Sequence, residues 1–474
     1  MQTPDWAGPL TEAYQQALAY LTSVPTRPVG SRATPTELRA ALGGPLPEGA
    51  GDPRTVIAEL AAAAQPGLVA SSSGRFHGFV IGGATPAALA ADWLTATWDQ
   101  NAGLYLPAPA AAVVEEVAGG WVAQLLGLPP HVSVGFVTGG QMANFTGLAA
   151  ARHDVLRRAD WDVEKHGLIG APPVRVLAGA ERHDTIDRAL RFLGLGTNAV
   201  SAVAVDEQGR MRPEALQDAL HPTTGPTIVC AQAGNVNTGA VDPLADVYGL
   251  AHEADAWVHV DGAFGLWAAA SPRLRPLLTG FELADSWATD AHKWLNVPYD
   301  SGIALCAHPD AHRAAMGMRA GYLPQDNGGE RDAMDYNPEL SRRARGFPIY
   351  AAIRALGRDG IADLVERCCA LARRFAEGLA AHERIEILND VVLNQVLVRF
   401  HAPDGDHDGL TNQIVRRTQQ EGTCWMSGTT WHGQAAMRIS VINWSTDEAD
   451  IDTSVTAIIR TLEVESAGRT SVRG

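Results

Sequence analysis

The chain has 474 residues, of which 46% are hydrophobic and 19% charged, a balance typical of a folded protein with more than one packed unit. Its net charge of -16 disfavours a nucleic-acid backbone or an anionic membrane as a partner. The sequence has no run of 18 apolar residues and no basic leader followed by an apolar stretch, so it predicts a cytoplasmic protein without a membrane span.

Cysteine and histidine spacing bears on disulfides and metals. The five cysteines show no CxxC spacing, and the histidines show no HExxH spacing. Cys230 and Cys306 fall inside apolar runs, as is usual for cysteines of a reduced compartment. We therefore expect neither a disulfide framework nor a metal site.

The N-terminal part of the chain predicts an arm. Proline-rich turns separate two short helical patterns, at residues 11–23 and 54–64. Such a segment has too little apolar surface to fold alone, so we expect it to cover the main domain or wrap a partner subunit. We assign residues 1–105 to this arm and the helical segment after it. From Phe76 the sequence FHGFVIGGATP mixes glycine with aromatic residues, which suggests a loop lining a cleft, with ordinary packing aromatics as the alternative.

A glycine-rich junction follows the first predicted strand. Residues 134–137 are apolar and run into Thr138-Gly139-Gly140-Gln141, after which a helix is predicted from residue 142 to 158. The first N–H groups of such a helix are free to bind an anion. Because the GK[ST] of a nucleoside-triphosphate loop is missing, a smaller phosphate is favoured. An ordinary glycine-rich α/β turn is the alternative.

Strand and helix patterns alternate from there to Cys306. This alternation predicts a mostly parallel sheet covered on both faces, with ligands at the carboxyl ends of the strands. We assign residues 106–345 to this large domain and residues 346–474 to a small α/β domain. The predicted strands are residues 174–178, 200–205, 227–231, 257–261, 284–289 and 302–306 in the large domain and 391–400 and 437–442 in the small one.

Polar residues stand at the ends of the predicted strands. One such residue is more often a helix cap or a satisfied core group, but five ends on one sheet edge favour a composite site. The five ends carry the Gly139-Gly140 turn, His183, Asn235, Asp261 and the pair His292 and Lys293.

Lys293 is one of only two lysines among 37 lysine and arginine residues. The other, Lys165, lies in a polar connector and is expected on the surface. In a chain that otherwise uses arginine for positive charge, Lys293 indicates a nitrogen that must lose its proton. A buried lysine can do so and form a Schiff base, whereas arginine stays charged.

An amine, a carboxylate, an imidazole and a phosphate-binding turn together suit pyridoxal 5'-phosphate. Moreover, the order of TGGQMAN, ERHDTIDRAL, VHVDGAFG and TDAHKW resembles the pyridoxal-dependent group II decarboxylases, from about Phe76 to Trp444. The resemblance implies an aspartate-aminotransferase-like α/β fold (fold type I), with a mostly parallel large domain and a small C-terminal α/β domain. It also implies a homodimer with active sites at the subunit interface. The implied reaction converts an L-amino acid to its amine and carbon dioxide.

The resemblance also implies residue roles around the cofactor ring. Lys293 matches the Schiff-base lysine, and Asp261 matches the carboxylate on the pyridine nitrogen. His183 matches the imidazole stacked on one face of the ring, and Ala263 packs the other face. Asn235 falls near the position that contacts the ring hydroxyl.

Around the phosphate, the resemblance implies three contacts. His292 matches a neighbouring phosphate contact, and Gly140 and Gln141 match the phosphate-binding turn. Arg438 resembles a carboxylate-binding arginine of related transferases only in lying late in the chain.

Two departures leave the product and the substrate open. The family has a loop tyrosine that protonates the carbanion after carbon dioxide leaves, but Ala333 stands at about that place here, with Tyr336 three residues later. Tyr336 can act only if the loop is shifted, and without it aldehyde formation competes with amine formation. The cleft segments RFHGFVIGG and NAGLYLPAP differ from those of the aromatic enzymes, so the substrate cannot be carried over. Another pyridoxal-phosphate activity (aminotransferase, lyase or decarboxylation-coupled oxidase) and a catalytically silent paralogue are the alternatives.

Overall fold

The computed structural model of the chain describes residues 5–221, 225–318 and 329–471. Two sheets organise these residues, one of seven strands and one of four. The helices are α1 (Ala7–Ser23), α2 (Pro35–Leu42), α3 (Pro53–Ala64), α4 (Pro86–Trp98), α5 (Pro109–Leu126), α6 (Gly140–Arg158), α7 (Val163–His166), α8 (Asp184–Phe192), α9 (Pro213–Leu220), α10 (Leu244–Glu253), α11 (Pro309–Met316), α12 (Gly346–Ala380), α13 (His407–Glu421) and α14 (Glu448–Ser471).

The large sheet confirms the predicted, mostly parallel arrangement. Its order is β1-β7-β6-β5-β4-β2-β3, and only β7 runs against its neighbours. The strands are β1 (Ser133–Val137), β2 (Arg175–Gly179), β3 (Val200–Val203), β4 (Thr227–Gln232), β5 (Trp257–Asp261), β6 (Ser286–Asp290) and β7 (Gly302–Cys306). Gln232 pairs with Asp261, and Asp261 with Ala288, so the carboxyl ends of the three central strands lie side by side.

Helices cover both faces of this sheet, which explains why its central strands are apolar throughout. Residues of β4, β5, β6 and β7 are buried along their whole length. On one face, α6 and α8 pack over the sheet through residues such as Leu148, Leu156 and Leu190. The opposite face is part of the larger core, which continues into the small domain.

The small sheet is antiparallel, in the order β10-β11-β9-β8. Its strands are β8 (Ile385–Ile387), β9 (Gln395–Phe400), β10 (Ser427–Trp431) and β11 (Gln434–Ser440). Helix α12 joins two helical stretches that meet at Gly357. Gly357 has φ of +66° and interrupts α12 there. The boundaries at residues 105 and 345 stay predictions.

The helices of the N-terminal arm form no core of their own. Helices α1, α2 and α3 contain no buried residue. Trp6, Leu10, Tyr14 and Leu18, spaced four residues apart, are each at least half exposed. They form an apolar stripe along α1. No helix in the described part of the chain is long and apolar enough to cross a bilayer.

Candidate active site

A cavity of about 330 Å³ lies at the carboxyl ends of the central strands, a size suited to a small ligand. This is the sheet edge at which the sequence predicts a composite site. Most of the predicted side chains do converge there. The lining residues from that prediction are Gly140, Gln141, His183, Asp261, Ala263, His292 and Lys293.

Lys293 presents its amine to this cavity. It lies in the turn after β6, and its Nζ is 2.8 Å from Oδ2 of Asp290, the last residue of that strand. The Asp290 side chain is 1% exposed, whereas that of Lys293 is 21% exposed. The carboxylate is therefore fixed, while the amine keeps access to the cavity.

The Gly140 N–H begins α6 and donates to Oδ1 of Asp290 at 2.5 Å. A Cβ at Gly140 would lie 2.7 Å from Oδ2 of Asp290, so a side chain would force this carboxylate away. Gln141 donates its Nε2 hydrogen to the carbonyl of Thr185 at 3.4 Å, which ties the start of α6 to α8. The N-terminus of α6 therefore already binds an anion, which is the Asp290 carboxylate of the same chain.

The ring of His292 is fixed from two sides. Its Nδ1 accepts the Ser301 N–H at 3.1 Å, and the ring stacks on Tyr299 with a centroid distance of 4.2 Å. Nε2 lies 3.3 Å from Oδ1 of Asp290. Burial lowers the pKa of His292, which favours a neutral ring with its proton on Nε2.

Asp261 ends β5 with its side chain 5% exposed. Oδ2 accepts a hydrogen bond from Asn144 Nδ2 at 3.0 Å, and Oδ1 accepts the Ala263 N–H at 3.2 Å. Both donors are neutral, and no cationic side chain pairs with Asp261 within the described ranges. The carboxylate is therefore held in place with its negative charge uncompensated.

Behind Asp261 runs a buried chain of hydrogen bonds. Trp257 Nε1 donates to Ser286 Oγ at 2.9 Å, and Ser286 Oγ lies 2.8 Å from Nδ1 of His259. His259 Nε2 lies 2.9 Å from Oδ1 of Asn144, the residue that donates to Asp261. Burial lowers the pKa of His259 to about 4, so its ring is neutral. Every polar group in this chain has a partner when each residue donates to the next, in the order Trp257, Ser286, His259, Asn144 and Asp261.

His183 precedes α8, and Thr185 fixes its ring. Nδ1 of His183 accepts the Thr185 N–H at 3.2 Å and lies 2.9 Å from the Thr185 hydroxyl. The same hydroxyl accepts a hydrogen bond from Asn144 at 3.1 Å. His183 is exposed and lines the cavity. Asn144 donates both to the Thr185 hydroxyl and to Asp261, so one side chain helps to fix both residues.

Asn235 lies outside the cavity lining, so the expected contact with the ring hydroxyl has no support from its position. Its Oδ1 accepts N–H groups of Asn237 and Thr238 at 2.9 and 3.3 Å, and its Nδ2 donates to Glu181 at 3.2 Å. These bonds hold the turn after β4 and leave the side chain no direction towards the ligand. Gln232, from the end of β4, lines the cavity.

Tyr336 also lies outside the cavity of its own chain. Its ring is 4.4 Å from the Arg331 guanidinium and 5.3 Å from the His312 ring. Its carbonyl oxygen accepts from His312 at 3.1 Å, which anchors this turn beside β1. The structure does not bring Tyr336 to Lys293, and residues 320–328 of the same predicted loop lie outside the described residues.

Arg438, on β11, lines the cavity without a counterion. It makes no ion pair with the described residues, and its buried Nε has no hydrogen-bond partner among them. Burial lowers the pKa of this guanidinium. A cation held in this way is suited to bind an anionic ligand group.

Sequence reasoning missed Asn144, Gln232 and Asp290, and it gave Arg438 little weight. Asn144 follows Gln141 by three residues and so shares its helix face, which was a usable signal. Asp290 stands three residues before Lys293 at a strand end. No local signal marks Arg438, because β11 approaches the cavity only through the packing of the small domain.

The residues fit pyridoxal 5'-phosphate on three counts. The N-terminus of α6 and His292 already bind an anionic group, which suits a phosphate. Asp261 is an uncompensated carboxylate suited to a protonated ring nitrogen, and Lys293 offers an amine for an aldehyde. Within the described ranges, no group of three His, Cys, Asp or Glu residues is placed to hold a metal ion.

Comparison with known sequences also indicates a pyridoxal-dependent protein. A family model of the pyridoxal-dependent decarboxylase conserved domain matches residues 35–401. An L-2,4-diaminobutyrate decarboxylase of Rhizobium meliloti is 30% identical over 365 residues, which are 75% of this chain and 71% of that protein. The 4-hydroxyphenylacetaldehyde synthase of Rhodiola rosea is 26% identical over 450 residues, 91% of this chain and 90% of that protein.

Solved structures agree on the fold. The TDC of Oryza sativa with PLP and tryptamine superposes with a TM-score of 0.91, over 98% of this chain and 100% of that one. Its sequence identity is 24%, so this likeness shows the fold type alone.

Proposed function

Because the chain belongs to the pyridoxal-dependent decarboxylase family, we propose that Lys293 is the residue through which it uses its cofactor to decarboxylate an L-amino acid. The chain is a carboxy-lyase, and its cofactor is pyridoxal 5'-phosphate. One observation carries the assignment of Lys293. Its amine opens into the cavity between the N-terminus of α6 and Asp261, whereas Lys165 is exposed in α7 and outside the cavity.

The cofactor would be held by groups from four strand ends. The first N–H groups of α6, with Gly140, Gln141 and His292, would bind its phosphate. Asp261 would face its ring nitrogen, and His183 and Ala263 would lie along its two faces. These residues lie at the ends of buried strands or in the turns and helix starts that directly follow them, which fixes their backbone positions.

When bound, pyridoxal 5'-phosphate supplies a protonated ring that accepts the electron pair released as carbon dioxide leaves. Asp261 would hold its carboxylate towards the ring nitrogen, because Asn144 Nδ2 and the Ala263 N–H fix its two oxygens. The reaction consumes one proton, which replaces the carboxylate on Cα. Among the described groups, the Lys293 amine would be a suitable proton carrier, because it lines the cavity.

Arg438 would bind and orient the carboxylate of the substrate. Its guanidinium lines the same cavity as Lys293, and its Nε has no partner among the described residues. Every amino acid supplies a carboxylate that can form paired hydrogen bonds with such a group. The side chain of the substrate stays open, and a panel of the standard amino acids plus diaminobutyrate would identify it by amine production.

The presence of only two lysines makes covalent trapping decisive. The purified chain is loaded with pyridoxal 5'-phosphate, reduced with borohydride and mapped by mass spectrometry. The label is expected on the peptide that contains Lys293, to be lost in Lys293→Ala and kept in the matched control Lys165→Ala. A label on Lys165 or on the N-terminal amine alone would overturn the assignment of Lys293.

Release of carbon dioxide separates the competing activities. Carboxyl-labelled amino acids should yield labelled carbon dioxide without a keto-acid acceptor. An aminotransferase would release none and would require the acceptor. A wild-type chain that takes up no cofactor would support the catalytically silent alternative.

Aldehyde formation is the second candidate, favoured by two observations. A relative named as an aldehyde synthase covers 91% of this chain, and Tyr336 lies outside the cavity of its own chain. An aldehyde product requires dioxygen as oxidant and releases ammonia and peroxide in addition to carbon dioxide. Peroxide and aldehyde assays under air and under nitrogen distinguish the two products. Tyr336→Phe should leave the product ratio unchanged, and a rise in aldehyde would return Tyr336 to the mechanism.

The arm would pack against a second copy of the chain. Helices α1–α3 bury no residue, and the apolar stripe of α1 is exposed along its whole length. Contiguous exposed apolar patches commonly mark protein–protein interfaces. A homodimer is therefore expected in sedimentation experiments, and Leu10→Asp should weaken it. A wild-type monomer at micromolar concentration would contradict this proposal.

A further inference from the structure

Asp290 is a buried carboxylate with a cation on one oxygen and two N–H donors on the other. Lys293 Nζ lies 2.8 Å from Oδ2, the Gly140 N–H donates to Oδ1, and His292 Nε2 lies 3.3 Å from Oδ1. Among the residues that the structure describes, Asp261 is the one other acidic side chain that lines the cavity, and it is bonded to different partners. Asp290 therefore binds the Lys293 amine, the Gly140 N–H and His292 Nε2, which are groups that the cofactor would need.

The position of this charge has an electrostatic consequence. An anion at a helix N-terminus is stabilised by the free N–H groups and by the helix dipole. A second anion within a few ångströms is repelled, and burial strengthens the repulsion. A phosphate bound by Gly140 and His292 would meet the Asp290 carboxylate on the same donors.

We propose that Asp290 is an internal anion that occupies the phosphate cradle and pairs with Lys293 until the cofactor displaces it from both. In the cofactor-free chain, Asp290 keeps the cradle and the amine ordered. On loading, it gives up the Gly140 N–H to the phosphate and the amine to the aldehyde. The inference rests on the proposed function of Lys293 and adds a positioning residue that controls cofactor uptake.

Two effects of opposite sign follow from removing the charge. Asp290→Asn keeps the shape and an acceptor for the Gly140 N–H but removes the partner of the Lys293 ammonium. The cofactor-free chain should therefore unfold at a lower temperature than the wild type. Affinity for phosphate should rise, on the order of ten- to a hundredfold, because one like charge a few ångströms away is gone.

Asp242→Asn is the matched control. Asp242 is also buried and accepts two backbone N–H groups, from Met211 and Gln232, each at 2.7 Å. It does not line the cavity. Asp242→Asn should lower the unfolding temperature and leave phosphate affinity unchanged.

The experiment titrates inorganic phosphate into the cofactor-free full chain by calorimetry, with chloride at equal ionic strength as reference, and measures thermal unfolding of each variant. Asp290→Ser serves as a second uncharged variant if Asp290→Asn does not fold. Lower stability together with tighter phosphate binding supports the proposal.

Unchanged or weaker phosphate binding in Asp290→Asn or Asp290→Ser overturns the proposal, whatever happens to stability. If phosphate binding is unchanged in these variants and borohydride still labels the wild type on Lys293, the role of Asp290 is refuted and the proposed function of Lys293 stands. A wild type that takes up neither phosphate nor pyridoxal 5'-phosphate overturns both.

Discussion

Arg438→Met tests whether a cation without a counterion binds the substrate. The substitution keeps a long apolar side chain on β11 and removes the guanidinium, whose Nε has no partner among the described residues. Burial already lowers the pKa of this group, so its charge is held at a cost to the folded chain. We expect Arg438→Met to stabilise the substrate-free protein and to weaken substrate binding.

The magnitudes follow from the two environments of the guanidinium. Removing a partly desolvated, unpaired charge should stabilise by about 1–3 kcal/mol. With an unfolding entropy of roughly 1 kcal/mol/K for a chain of this length, this corresponds to a rise in Tm of about 1–3 °C. Two charged hydrogen bonds to a carboxylate are worth about 3–5 kcal/mol, so KM should rise roughly 10²- to 10⁴-fold.

The turnover number should change far less than KM. The ion pair is made with the bound substrate and is lost as the carboxylate leaves as carbon dioxide. An interaction that weakens towards the transition state contributes to binding and little to kcat. The assay is carbon dioxide release over a range of substrate concentrations, together with thermal unfolding of the cofactor-loaded protein.

Arg399→Met is the control. Arg399 lies on the neighbouring strand β9, where it pairs with Asp408 at 2.8 Å and donates to the Ala435 carbonyl at 3.1 Å. Arg399→Met should lower Tm and leave KM unchanged. An unchanged KM in Arg438→Met, or a loss of stability like that of the control, would refute the carboxylate-binding role.

Asp261→Ala should reduce turnover by several orders of magnitude while changing Tm by a few degrees; equal losses of both would make Asp261 a structural cap. Glu115→Gln should cost about 3–5 kcal/mol in urea unfolding, since it leaves Arg342 charged and fully buried. The exposed pair of Arg374 and Asp452 gives the comparison, because Asp452→Asn should have a much smaller effect. Stability should fall as pH drops below 6.5 towards 4, because the pKa of His259 is lowered to about 4 and the unfolded chain takes up its proton first. His259→Gln should flatten that slope, and an unchanged slope would mean that His259 is not buried as a neutral ring.

The sequence was sufficient to predict which residues line the cavity where their positions depend on local order along the chain. The strand before Gly139, the turn at Gly140 and the helix after it are neighbours in the chain, so their geometry is set by a few dihedral angles. Lys293 and Asp261 follow predicted strands, and parallel strands bring their carboxyl ends to one edge. For these residues, chain order and strand direction determine position.

The same reasoning did not predict the directions of the Asn235 and Tyr336 side chains, because hydrogen bonds and ring contacts set them. Asn235 stands after the correct strand, but its side chain bonds to N–H groups two and three residues later in its own turn. Tyr336 stands near the expected loop position, but its ring packs against Arg331 and His312. Sequence position alone does not give the direction of a side chain, which competing local hydrogen bonds and ring contacts decide.

The tertiary structure alone decided which groups share one environment. Asn144 bonds to Asp261 across 117 residues, and Arg438 reaches the cavity from a sheet of the small domain. Such contacts depend on how helices and sheets pack, and packing is set by the fit of many side chains at once rather than by any short segment. The sequence therefore determined the chemical groups and the sheet edge that holds them, and only the folded chain determined their partners, their burial and the direction in which each points.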